Sequence, residues 1–110
     1  MTRKNWTIEE IPDLEGKIII VTGGNSGLGL ASVKAFAAKN AEVIIACRSV
    51  QRGNEARKLL LKEQPKAKVK VMELDLSNFW SIRMFVADFK KEYNQLDILL
   101  NNAGVMMTPY

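Results

Sequence analysis

The 110-residue chain contains no histidine and a single cysteine, Cys47. Without histidine, neither a Ser–His–Asp triad nor a Cys–His pair can form within it, which excludes much of hydrolytic chemistry. A lone thiol makes no internal disulfide, and without imidazole or further thiolates no metal site is expected. Apolar runs are short: Lys17-Ile-Ile-Ile-Val-Thr22 has strand length, far below the roughly 20 residues of a membrane span. The start, Met1-Thr-Arg-Lys-Asn-Trp6, is charged and then polar, with no apolar core of a signal peptide. A cytoplasmic, reducing setting is expected, with no membrane span.

What remains is the composition of one globular domain, 47% hydrophobic and 25% charged, with the thin core of a small fold. Residues 1–16 read as a polar N-terminal arm that ends in a turn at Gly16, and 17–110 as the folded unit. Lys17–Thr22 is β-branched and apolar on both faces, the pattern of a strand covered from both sides. Gly27–Lys39 is helical, with Leu30, Val33 and Ala37 on one face and Asn40 as a stop. Ala41–Cys47 is a second strand. Ser49 caps a second helix whose stripe is Ala56, Leu59 and Leu60, ended by Pro65. Lys66–Leu74 is a third strand, and Ser77 caps a third helix with Ile82, Phe85, Val86, Phe89 and Tyr93 on a wide apolar face. Leu96–Leu100 is a fourth strand.

The pattern is β-α-β-α-β-α-β, an α/β fold with a parallel sheet joined by right-handed crossovers. In the dinucleotide-binding arrangement the strand order is 3-2-1-4, with the third strand at an edge. Lys66, Lys68 and Lys70 alternate there with Ala67, Val69 and Val71, and charge on an edge strand discourages pairing with another chain. The alternative is a basic nucleic-acid patch drawing on the net charge of +4, but no aromatic residues interleave with these lysines for bases to stack on. No nucleic-acid partner is expected.

The strongest signal is Thr22-Gly23-Gly24-Asn25-Ser26-Gly27-Leu28-Gly29, directly between a strand and a helix. Gly23 can turn the chain tightly, Gly27 leaves no side chain where a diphosphate would approach, and Gly29 permits close packing of helix on strand. Amides at the helix start then face the ligand's negative charge. Asn25 and Ser26 add short polar groups for phosphate or ribose oxygens. The competing reading is a turn that is glycine-rich for structural reasons alone. It is not an ATP-type loop, because no Gly-Lys-Ser/Thr follows.

Thr22-Gly-x-x-x-Gly27-x-Gly29 resembles the cofactor turn of the short-chain dehydrogenase/reductase family, and two further motifs fall in that family's order. Asp75-Leu76 resembles the pair beside the adenine ring, and Asn101-Asn102-Ala103-Gly104 resembles the family's signature at the end of the fourth strand. The resemblance covers residues 14–107 and looks most like the branch of retinol dehydrogenases and protochlorophyllide-reductase-like enzymes. It implies a Rossmann-type half domain and an oxidoreductase that moves a hydride between a nicotinamide cofactor and a carbonyl or alcohol. The implied cofactor contacts are Gly23, Asn25, Ser26, Gly27, Leu28, Gly29, Asp75, Leu76, Asn102, Ala103 and Gly104. For Asp75 a loop and cap role stands beside adenine contact, and Asn101 is expected to hold neighbouring strands through its amide.

An acid about 20 residues past the glycines would bond the adenosine 2′-hydroxyl of NAD. The second strand instead ends in Ala46-Cys47-Arg48-Ser49, with Arg52 one helical turn on. Arg48, helped by Ser49 and Arg52, can pair with a 2′-phosphate, so NADP(H) is predicted over NAD(H). Cys47 reads as core packing. The family's Tyr-x-x-x-Lys pair and catalytic serine are not found, since Tyr93 is followed by Asp97 and Tyr110 is the last residue. No catalytic residue is therefore assigned. The resemblance implies the N-terminal half of a family member, inactive alone; with Leu96, Ile98, Leu99, Val105, Met106 and Met107 poorly covered, the chain is expected to be unstable, to self-associate or to borrow a partner. The other reading is a nucleotide-binding module or truncated remnant without catalysis.

Overall fold

Every residue of Ile18-Ile-Ile-Val-Thr22 is β-branched, and in a computed structural model describing residues 11–25 and 27–102 every one of them is buried. This strand, β1 (Ile18–Thr22), leads through α1 (Gly27–Ala38), β2 (Glu42–Cys47), α2 (Val50–Glu63), β3 (Lys68–Glu73) and α3 (Phe79–Glu92) to β4 (Ile98–Asn101). The sheet order is β3-β2-β1-β4, and all three pairings are parallel, as the alternating pattern implied. Central β1 sets Ile20 opposite Ile44 of β2 and Leu99 of β4.

Alternation along the strands sends side chains to two faces. Ile19, Val21, Val43, Ile45 and Val69 pack with Val33 and Ala37 of α1 and Leu60 of α2. Ile18, Ile20, Ile44 and Ala46 pack on the opposite face with Leu74, just after β3, and with Phe85 of α3. Helices α1 and α2 thus cover one face and α3 the other. The chain runs outward from β1 to β3, then returns across the sheet to β4. Strand order reverses between β1 and β4, so the carboxyl ends there form the crevice in which such sheets bind ligands.

Several local expectations change. Leu59 was expected in the apolar stripe of α2 but is 59% exposed. The stripe is Gly53, Ala56 and Leu60, the spacing that a helix seated on the sheet selects. The cap of α3 is Asn78, not Ser77: Asn78 Oδ1 accepts from the amides of Trp80 at 2.9 Å and Ser81 at 3.2 Å. Ser77 is taken by Asp75, which moves the helix start one residue on. Val86 is 42% exposed rather than part of a closed face, because α3 rests on the sheet through Phe85. Strand β3 begins at Lys68, after a turn holding Lys66, and β4 begins at Ile98, leaving Leu96 outside it.

Other signals read as expected. Ser49 Oγ caps α2 by accepting from Arg52 N at 3.2 Å. Asn40 stops α1 in the left-handed region with φ 74°, and its amide donates to Asp13 Oδ1 at 2.9 Å. Edge strand β3 is guarded by Arg57, whose Nε donates to the Val69 carbonyl at 2.6 Å, and by the Lys70–Glu92 ion pair. Leu14, read as part of the polar arm, was not foreseen to pack against the core, and it does.

At the amino end of the sheet, Asp97 Oδ2 accepts from the Ile18 amide at 2.8 Å and from Gln95 Nε2 at 2.9 Å. The Ile18 amide chiefly, with Gln95 and the Lys17 charge, holds the Asp97 carboxyl below its ordinary value of 3.8. A lowered folded-state pKa means stability that is present above the unfolded value and is lost as pH falls through the folded one. Asp97→Asn should therefore be less stable than the parent at pH 7, with the deficit shrinking as the pH drops below about 4. Denaturant melts at pH 7 and pH 3 check this, and a deficit that does not change with pH would contradict it.

Candidate functional site

The loops at the carboxyl ends of the strands build one site. After β1 the chain turns through Gly23 at φ +64° and Gly27 at φ +59°, left-handed values that side chains disfavour. Gly23 N donates to the Ala46 carbonyl at 2.8 Å, which ties the turn to β2. The two later glycines face opposite surroundings. A Cβ at Gly29 would lie 2.1 Å from the Gly23 carbonyl oxygen and 2.9 Å from Asn102 Nδ2, so α1 packs directly on the turn. A Cβ at Gly27 would meet nothing within 4 Å among the described residues, so that backbone faces space they leave open.

Beside the turn lies a cleft of about 420 Å³. Thr22, Gly23 and Asn25 form one wall, Cys47, Arg48, Ser49 and Arg52 a second, and Asp75, Leu76 and Ser77 a third. The structure therefore brings the turn after β1, the junction of β2 with α2 and the loop after β3 together, although these three segments are far apart in sequence. Leu28, 81% exposed, projects from the start of α1. Asn102 sits behind Gly29 and does not line the cleft. Ser26, Ala103 and Gly104, with Val105, Met106, Met107 and Tyr110, lie outside the described residues.

Asp75 meets the structural role first. Its Oδ1 accepts from Ser77 N at 3.0 Å and Ser77 Oγ at 2.7 Å, while its own amide donates to Ser81 Oγ at 2.8 Å. Those Ser77 bonds, with a smaller contribution from the Arg48 charge, hold the carboxyl below its ordinary value. It is the only acidic residue lining the cleft among the described residues. Cys47 is a core residue as expected, and it also forms part of the cleft wall. Burial pushes its thiol upward, and Sγ donates to the Ser49 carbonyl at 3.2 Å. A raised, buried thiol is a poor nucleophile.

Thr22 was not among the expected site residues, yet it organises the crevice. Its buried hydroxyl donates to Asn101 Oδ1 at 2.8 Å and accepts from the Asn102 amide at 2.9 Å, clamping the ends of β1 and β4 together. Asn101 thus joins neighbouring strands as expected. The signal for Thr22 was a hydroxyl ending an otherwise apolar strand, and its partners were visible only in three dimensions.

The site's chemistry suits a dinucleotide. The open backbone at Gly27 leaves room for a diphosphate at a helix start. The second wall supplies two guanidinium groups and a hydroxyl for a further anion. Among the described residues, no helix is long and apolar enough to cross a membrane.

Comparison with known proteins bears on this geometry. A family model described as short chain dehydrogenase matches residues 17–110. A short-chain dehydrogenase/reductase of Armillaria gallica is 44% identical over 97% of this chain and 34% of its own length. Retinol dehydrogenase 12 of Homo sapiens is 44% identical over 88% of this chain and 31% of its own. Among solved structures, an NADPH-bound short chain oxidoreductase from Pseudomonas aeruginosa PAO1 superposes with a TM-score of 0.78 at 30% identity, over 86% of this chain and 37% of that one. The chain spans about a third of the length of the relatives it matches.

Proposed function

Since the chain belongs to the short chain dehydrogenase family, we propose that it forms the adenosine-phosphate side of the cofactor site of an oxidoreductase that prefers NADP(H) to NAD(H). The observation that carries the preference is the second wall of the cleft, where Arg48, Ser49 and Arg52 stand together and, among the described residues, no acid lines that wall. An acid there would repel a 2′-phosphate, whereas an arginine pairs with one through two parallel N–H bonds. The NADPH-bound relative supports the same reading.

In this reading Gly23, Asn25, Ser26, Gly27, Leu28 and Gly29 hold the diphosphate side. Arg48, Ser49 and Arg52 hold the 2′-phosphate. Asp75 and Leu76 border the adenine, Asn102 is a further cofactor contact, and Ala103 and Gly104 are small so that the cofactor's ribose can pass. When bound, the nicotinamide supplies hydride transfer to a carbonyl or from an alcohol. This chain's residues bind and orient; it contains no Tyr-x-x-x-Lys to move the accompanying proton. Taken alone it binds without turnover. The exposed Leu96, Ile98 and Leu99 at β4 support self-association of the chain by itself. A cytoplasmic setting, where a lone thiol stays reduced, belongs to the same proposal.

The test is a titration of the chain with NADP+ and NAD+, alongside a turnover assay on carbonyl and alcohol substrates. NADP+ should bind at least about tenfold more tightly, a difference of about 1.4 kcal/mol, with no turnover. Equal affinities would remove the preference, and binding of neither cofactor would remove the site. Measurable turnover would show that the proton-transfer machinery lies within these residues.

A further inference from the structure

Gly53 is a glycine in the first turn and a half of α2 (Val50–Glu63), and it is buried. Glycine at such a position costs about 1 kcal/mol relative to alanine. Conformation does not require it, because Gly53 is not among the glycines with positive φ. Space does. A Cβ at residue 53 would lie 2.6 Å from Val71 Cγ1 of β3 and 2.8 Å from Cys47 Sγ at the end of β2. Ordinary carbon contacts are about 3.5–4.0 Å, so a methyl group here would push α2 off the sheet by on the order of 1 Å.

That displacement would reach the cleft through three hydrogen bonds. Gly53 N donates to the Ser49 carbonyl at 3.0 Å, and Cys47 Sγ donates to the same carbonyl at 3.2 Å. Ser49 Oγ accepts from Arg52 N at 3.2 Å. The start of α2 is therefore pinned to the end of β2 at one carbonyl, through the same Cys47 Sγ that borders the gap at Gly53. Ser49 and Arg52 line the cleft, and both ride on this turn. Arg48, the first residue after β2, is anchored by the strand and would follow less.

Resting on the NADP(H) reading above, we infer that Gly53 is a positioning residue for cofactor selectivity: its missing side chain seats α2 deep enough for Ser49 and Arg52 to join Arg48 around one 2′-phosphate. Gly53 touches no cofactor. It acts by setting the distance between two halves of one anion-binding wall, and a misplacement of about 1 Å is enough to lose such convergence. The diphosphate cradle at Gly27 belongs to α1 and is left in place.

The experiment measures dissociation constants for NADP+ and NAD+, with melting temperatures, on the parent chain and three variants. Gly53→Ala should lower the NADP+/NAD+ preference about tenfold, with NAD+ affinity kept within about threefold. Val71→Ile adds a methyl to the same gap from the strand side and should lower the preference by about threefold, a smaller push without any change in the helix. Gly53→Ala combined with Val71→Ala removes the nearest obstacle and should recover most of the lost preference. Should Gly53→Ala alone fail to fold, Val71→Ile and the double variant carry the comparison. A parent that binds both cofactors equally overturns the cofactor reading, and this inference with it. A parent that discriminates, with variants that keep its ratio whatever happens to their melting temperatures, overturns the inference alone.

Discussion

Gly29→Ala is expected to abolish dinucleotide binding and to destabilise the chain by about 3 kcal/mol or more, at the upper end of what overpacking costs. The added Cβ would stand 2.1 Å from the Gly23 carbonyl oxygen and 2.8 Å from its carbon. Both are backbone atoms, and neither can swing aside as the end of a side chain can. Relief requires α1 to tilt away from the turn, yet Val33 and Ala37 of α1 are buried in the core beneath it. It also requires the Asn102 side chain to give way at Nδ2, on a residue whose backbone amide is held by the Thr22 hydroxyl. The helix start would lose its aim at the diphosphate as the core loosens. Thermal melts followed by circular dichroism, with an NADP+ titration, check both effects. A variant with the parent's melting temperature and affinity would show that the helix and turn have slack which the geometry denies.

Arg48→Asp should weaken NADP+ about 100-fold while changing NAD+ by no more than about threefold, a selectivity loss of about 2.7 kcal/mol. The substitution removes a cation that can pair with phosphate and installs an anion in its place. It also puts a second carboxylate near Asp75, whose own carboxyl feels the Arg48 charge. The fold should notice little. Arg48 is exposed, and an acid just before α2 suits the positive end of the helix dipole. Equal losses for the two cofactors would take Arg48 away from the 2′-phosphate and leave the preference without its main support.

The two glycines of the turn show where reading along the chain stops. Gly27 and Gly29 are the same residue two positions apart, and spacing alone proposed that one admits a ligand and the other admits a helix. Coordinates separate them by what surrounds each missing Cβ: nothing among the described residues within 4 Å in one case, a carbonyl at 2.1 Å in the other. Gly53 carried no signal of its own within a polar helix, and its need for space appears only where Val71 and Cys47 close over it. Likewise Leu59 and Leu60 are equivalent in type, but one is 59% exposed and the other fully buried, because the seat of α2 on the sheet chooses between them.

By itself, the order of residues determined the alternation of strands and helices, the turn between β1 and α1, the parallel sheet and the charged edge at β3. These follow from local causes: β-branched runs apolar on both faces, helical spacing of apolar positions, and glycines where the backbone must bend or be approached. Only tertiary structure decided that Thr22 would clamp β1 to β4 across 79 residues of chain, and that Arg48, Ser49 and Arg52 would share a cleft with the loop after β3. Those outcomes depend on distances between segments remote in sequence, and such distances are set by packing the whole sheet against its helices.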